Sequence, residues 1–318
     1  MYRAKQNRVS VKKLSKFLNY DYDGEDFDII QVSNIDNVKD HSLVFYTETI
    51  NAKFQLKDNQ KYNLKKLENH KNIVLISDAN FKQKINIPII YSKNPRLDFQ
   101  RIIIEFFSEE EFKPGIHSTV TIEPNVKLGK NVYVGPNCYI GKNVIIGDNT
   151  KILSNTVIFG ITKVGKNSVI SSNCTIGSEG FSFSYDGTKF IHFNHIGEIS
   201  IGDNVWIGSN CTVERSQIDK TIIEDHVKID DLVHISHNTT IKKFSQITVG
   251  SMILGRAKIG EHCWISPNSV VENGCEIGNN CLVGTSSLVR NNFPNNCVII
   301  GCPAKILRKN NYVNNFYG

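Results

Sequence analysis

The segment Ile229-Asp230-Asp231-Leu232-Val233-His234-Ile235-Ser236-His237-Asn238 carries two histidines, the second followed at once by an amide side chain. An imidazole of unperturbed pKa about 6.5 is suited to take a proton from an attacking amine or hydroxyl at neutral pH. In a coiled repeat of 18 residues, one coil back from His237 is Asp219, an acid to orient the ring. One coil forward is Gly255, where backbone N–H groups can approach a substrate closely. A base, an orienting acid and N–H donors for an oxyanion are the parts of an acyl transfer from a thioester. An outward histidine can equally be plain surface. Metal ligation is the competing chemistry, but His234 and His237 have no evident third ligand and no His-x4-His occurs, so no metal is expected.

The element that must hold these residues is a repeat. An aliphatic residue recurs every six positions from Ile116 through Ile176, again at Ile201, Ile207 and Val213, and then without a miss from Ile223 to Val289. Four residues after nearly every one, the side chain is small or β-branched, as at Val120, Thr150, Thr156 and Ser168. Gly often follows the aliphatic, as at Gly129 and Gly278, and is assigned to a tight corner. Neither a helical period nor plain alternation produces this pattern. It predicts a mainly β fold, a three-sided parallel β-helix of roughly eight to nine coils, with each hexad one side. The domains expected are residues 1–112, an α/β unit with a helix over 95–112; residues 113–300, the β-helix; and residues 301–318, a short C-terminal tail.

Composition sets limits. The chain has 318 residues, 40% hydrophobic and 21% charged, which excludes disorder and supports a sizeable core. A formal charge of +6, without basic runs interleaved with aromatics, argues against a nucleic-acid partner. No long apolar run predicts a membrane span or export signal, so a cytoplasmic enzyme is expected. Of the eight cysteines, Cys138, Cys174, Cys211, Cys263, Cys275 and Cys281 fall on the small-residue position as compact hydrophobes. Cys297 and Cys302 lie past the last hexad, where a thiol can face solvent.

Two interruptions mark the expected binding region. Between Ile176 and Ile201 lies an aromatic segment with Phe181, Phe183, His192 and His195; between Val213 and Ile223 the spacing is ten rather than six. Both are read as loops over a cleft, although the aromatics can also simply cap the outside of a coil.

The hexads resemble those of the left-handed β-helix acyltransferase superfamily. The blocks GSEGF, ERSQIDKT and DDLVHISHN, in that order, resemble the UDP-3-O-acylglucosamine N-acyltransferase family of lipid A synthesis. The resemblance implies a homotrimer with sites in the clefts between neighbouring helices. It also implies acyl transfer from a thioester carrier to the amino group of a nucleotide-linked sugar, with no permanently bound cofactor. His237 matches that family's general base, and Phe45 an aromatic that stacks on uracil. Phe181, Phe183, His234, Asn238, Gly255 and Asn273 complete the expected binding set. Gly274 stands where the family has a second functional histidine, and Asn51 where it has a second stacking aromatic. The ending Gly301-Cys302-Pro303-Ala304-Lys305 is similar to that of hexapeptide enzymes using acyl-CoA. A short acyl-CoA is therefore the expected donor, for surface glycan synthesis. A 3-hydroxyacyl group on acyl carrier protein, as in lipid A synthesis, is the alternative, and a non-catalytic β-helix scaffold is a third reading.

Overall fold

A computed structural model describes residues 2–47 and 64–310. The chain divides into two compact units, residues 1–112 and residues 113–316. Asn51 lies outside the described residues.

The first unit is built on a four-stranded parallel sheet of Gln31–Val32, Ser42–Phe45, Val74–Asp78 and Ile89–Ser92. Its strands are nearly continuous aliphatic runs because helices and loops cover both faces; Leu43, Val44, Val74, Leu75, Ile76 and Ile90 have no exposed surface. Helix Val11–Leu18 starts at Ser10, whose Oγ accepts from Lys13 N, and stops at Asn19 in the left-handed conformation. The expected helix over 95–112 is shorter. Asn94 caps it, Pro95 opens it, and after Ile102 it relaxes into a wider π turn, Ile103–Phe107. Ser108–Glu110 then runs extended, paired antiparallel with Tyr2–Ala4.

The second unit is a parallel β-helix, as the hexads predict, of the left-handed kind that the resemblance implies. Its strands, mostly two residues long, stack into three sheets of nine, eight and eleven members. The aliphatic column is the core: Ile140, Ile158, Ile170, Ile207, Ile235, Ile241, Ile253 and Ile265 are fully buried. Ile116 and Ile122, in the first coil, remain 50% and 40% exposed because a neighbouring coil covers only one side of them.

The corners correct one expectation. The left-handed φ belongs mostly to asparagines, among them Asn131 (55°), Asn149 (56°) and Asn155 (59°), whose side chains bond coil to coil, as from Asn131 Nδ2 to Asn149 Oδ1 (3.2 Å). Gly129 and Gly278 have no positive φ. They are glycines because a Cβ would come within 2.6 Å of Asp148 N and 2.5 Å of Asn295 N in the next coil. The small position also does more than save space: Thr150 Oγ1 donates to Gly165 O (2.7 Å) and Ser245 Oγ to Gly260 O (2.6 Å). Cys138 and Cys263 thiols reach carbonyls of the next coil at 3.0 Å, so cysteine there replaces threonine as both filler and weak donor.

The interruptions change the register. Coil-to-coil partners are 18 residues apart in the regular parts, 37 across the aromatic segment and 22 across the second insertion. The first insertion projects as an antiparallel hairpin of Phe183–Tyr185 and Phe190–His192. At the far end the coil continues past residue 300: Cys297–Gly301 pairs in parallel with Leu282–Val283. Ala304–Lys309 then folds back on it antiparallel. Cys297 is consequently buried and only Cys302 is exposed. Among the described residues no helix is long and apolar enough to cross a membrane.

Candidate active site

His237 follows strand His234–Ile235 at a corner between coils. Its Nδ1 lies 3.0 Å from Asn238 Oδ1, an acceptor, so Nδ1 carries the proton and Nε2 presents its lone pair. Asn238 is itself fixed from three sides. Its Nδ2 donates to Ser216 Oγ, its Oδ1 also accepts from Gln217 N (3.2 Å), and its own N–H donates to Thr221 Oγ1 (2.9 Å). Asn238 has φ 60°, a conformation asparagine tolerates well.

The acid at this corner is Glu214, not Asp219, and it holds the backbone of the loop; the ring itself is oriented by Asn238, which corrects the role given to Asp219. The second insertion lengthens the coil to 22 residues, so Val213 pairs with Ile235 and Glu214 lies beside Ser236. The buried Glu214 carboxylate accepts from Ser236 Oγ (2.6 Å) and His237 N (3.3 Å) through Oε2, and its Oε1 is 3.7 Å from His234 Nε2. Asp219 is exposed and, among the described residues, its carboxylate takes part in no hydrogen bond or ion pair; its backbone carbonyl accepts from Glu198 N. The signal was present in the ten-residue gap, which adds four residues to the coil count.

Forward of His237 there is no insertion, and Gly255 lies where expected. Arg256 N donates to His237 O (2.9 Å), and a Cβ on Gly255 would stand 2.9 Å from both Cε1 and Nε2 of the imidazole. Asn273 Oδ1 is 3.3 Å from the same point. Gly180 closes the other side, since a Cβ there would meet His237 Cδ2 at 2.9 Å and Glu214 Oε2 at 2.7 Å. The ring thus sits between two residues that must lack side chains, with Nε2 over Gly255. Gly180, Ser216, Gln217 and Thr221 were not singled out in the sequence; all four lie in or beside the two insertions.

Phe181 is 89% exposed and packs edge-on against Phe183 at 5.1 Å; Phe183 in turn meets His192 at 4.8 Å. Gln217 ties this aromatic segment to the coils, donating to Ser182 Oγ (3.1 Å) and accepting from Arg256 (3.0 Å). Phe45, in the first unit, ends its strand with its ring 4.7 Å from Phe99.

Comparison with known proteins places the repeat. A family model described as bacterial transferase hexapeptide (six repeats) matches residues 125–160 and 256–291. A second, the hexapeptide repeat of succinyl-transferase, matches residues 143–178 and 198–230. The chain is 39% identical over 192 residues to UDP-3-O-acylglucosamine N-acyltransferase 1 of Francisella tularensis subsp. holarctica (strain OSU18), covering 54% of each chain. It is 34% identical over 100 residues to UDP-3-O-acylglucosamine N-acyltransferase of Delftia acidovorans, 31% of this chain and 30% of that one. The chain therefore spans about half or less of the length of these relatives. Among solved structures, the UDP-N-acetylglucosamine acyltransferase of Francisella novicida superposes with a TM-score of 0.57 at 26% identity, covering 62% of this chain and 71% of that one. LpxA from Acinetobacter baumannii gives 0.56 at 28%, covering 61% and 74%.

Proposed function

From a chain built of bacterial transferase hexapeptides and similar over half its length to UDP-3-O-acylglucosamine N-acyltransferases, we propose an N-acyltransferase that acts on an acylated, UDP-linked glucosamine. The observation that carries the reading is the His237 imidazole, held by Asn238 with Nε2 free over Gly255. The substrate amine attacks the thioester carbonyl carbon and forms the C–N bond while Nε2 accepts the proton from that nitrogen. The Gly255 N–H, which no acceptor among the described residues takes up, faces the oxyanion. Collapse breaks the C–S bond, and the imidazolium returns its proton to the departing thiolate. Glu214 holds the backbone of the loop in place. Phe45 stacking on the base, and Phe181, Phe183, His234 and Asn273 lining the substrate cleft, belong to the same proposal.

The relatives favour the lipid A type of reaction, with a 3-hydroxyacyl group on acyl carrier protein, over the short acyl-CoA expected from the Gly301–Lys305 ending. In the fold that ending is the turn between two antiparallel strands, a structural use sufficient to account for its Gly and Pro. We also propose a homotrimer; exposed Phe181, Ile196 (73%) and Ile218 (66%) around the insertions are the kind of apolar surface a neighbouring copy covers.

Acyl transfer followed by mass spectrometry tests the reading, with 3-hydroxyacyl carrier protein, 3-hydroxybutyryl-CoA and acetyl-CoA offered to UDP-3-O-acylglucosamine and to other UDP- and dTDP-linked amino sugars. Product on the acylated UDP-glucosamine is expected, with a loss of roughly 10²–10⁴-fold in His237→Ala at unchanged fold. Product only from a CoA donor on a different sugar would move the enzyme to glycan modification, and no product from any pair would leave the scaffold reading.

A further inference from the structure

His195 is 2% exposed, and among the described residues neither of its ring nitrogens makes a hydrogen bond of good geometry. A neutral imidazole carries one donor and one lone pair, and leaving both unmet inside a protein is unfavourable.

Beside it, His192 poses a second problem. Its Nε2 is 3.2 Å from Gly180 O, which can only accept, so Nε2 carries hydrogen. In the neutral ring Nδ1 then presents a lone pair to Glu179 Oε2, 3.3 Å away. Two acceptors face each other unless a cation stands between them. A second proton on His192 would settle that pair but would leave His195 as it is.

A single metal ion engages all three side chains, taking one ring nitrogen of His195, and we propose that Glu179, His192 and His195 bind zinc(II). One donor atom from each lies within 4.8 Å of the others. Zinc bonds of about 2.0–2.1 Å in a tetrahedron set donors about 3.3–3.4 Å apart; the Glu179–His192 edge already has that length, and the other edges are no longer than 4.8 Å. The outer groups are in place as well. Arg215 Nη2 holds Glu179 Oε1 at 2.7 Å and turns Oε2, which also accepts a long bond from His195 N (3.5 Å), toward the histidines, and Gly180 O fixes the His192 tautomer with Nδ1 as ligand. Three protein donors leave a coordination position open, as in sites that bind a further ligand rather than in closed structural ones. His195 and His237 rings are 5.3 Å apart, so the ion stands one imidazole away from the proposed base. The pairing of His234 with His237, weighed as metal ligands from the sequence, plays no part.

The test uses the full chain without a histidine tag, stripped with chelator, loaded with zinc chloride, passed through gel filtration and assayed for metal by mass spectrometry. Cobalt(II) provides a visible absorption readout of the same site. One zinc per chain is expected, with affinity reduced at least about tenfold in His192→Gln and His195→Gln and unchanged in His226→Gln. His192 lies on the exposed hairpin, so its variant remains informative if the buried His195 variant folds poorly. No retained zinc, or retention equal in His192→Gln and wild type, would overturn the proposal. Because the readout is bound metal, its failure is distinct from a failure of acyl transfer.

Discussion

At the scale of single residues, the proposed site depends on one imidazole having one orientation. Asn238 is the orienting group: removing its amide in Asn238→Ala frees the ring and takes away the Nδ1 acceptor. A charge-neutral hydrogen bond is worth about 0.5–1.5 kcal/mol, so a loss of a few-fold to tenfold in kcat, with substrate KM little changed, is expected from steady-state assays. Glu214 acts on the backbone instead. Glu214→Ala leaves the Ser236 hydroxyl and the His237 N–H without their acceptor, at about 1–3 kcal/mol per unsatisfied buried group. Urea denaturation should show this loss as a lower midpoint at constant slope.

At the scale of the coil, the corner positions are the informative ones. Asparagine fills most left-handed corners, but Leu232 takes the same conformation with φ 60° and its side chain 59% exposed. A left-handed conformation costs an ordinary L-residue roughly 1–2 kcal/mol, and asparagine less. Leu232→Asn should therefore stabilise the unit by about 1 kcal/mol, measured as a raised unfolding midpoint; a neutral or destabilising result would mean that Leu232 packs on something else. The column behaves oppositely. Ile247, 1% exposed, has like residues above and below it, and Ile247→Ala should cost about 2–5 kcal/mol.

At the scale of the whole chain, the β-helix keeps its thiols out of reach. Every cysteine but Cys302 is buried, so the sulfurs are sterically shielded, and burial also pushes the Cys138, Cys275 and Cys297 thiols up from their ordinary values. Iodoacetamide at pH 7.5 should label Cys302 alone in the folded protein and all eight cysteines after unfolding, as read by peptide mass spectrometry. Rapid labelling of Cys297 in the native chain would show that the closing hairpin opens.

The period of six is a local property. Every hexad occupies the same environment, so the aliphatic column, the small position, the cysteines on it and the fold itself are legible from spacing. His237 and Gly255 are legible for the same reason, being separated by one uninterrupted coil. What the spacing could not settle lies across the insertions. Four extra residues carry Glu214, rather than Asp219, to Ser236 and His237, and the hairpin brings Glu179, His192 and His195 together although Glu179 precedes the others by more than a dozen residues. Side chains meet there through strand register and the return path of a loop, and those are decided only when the coils stack, because packing of the column, not chain distance, selects which residues become neighbours.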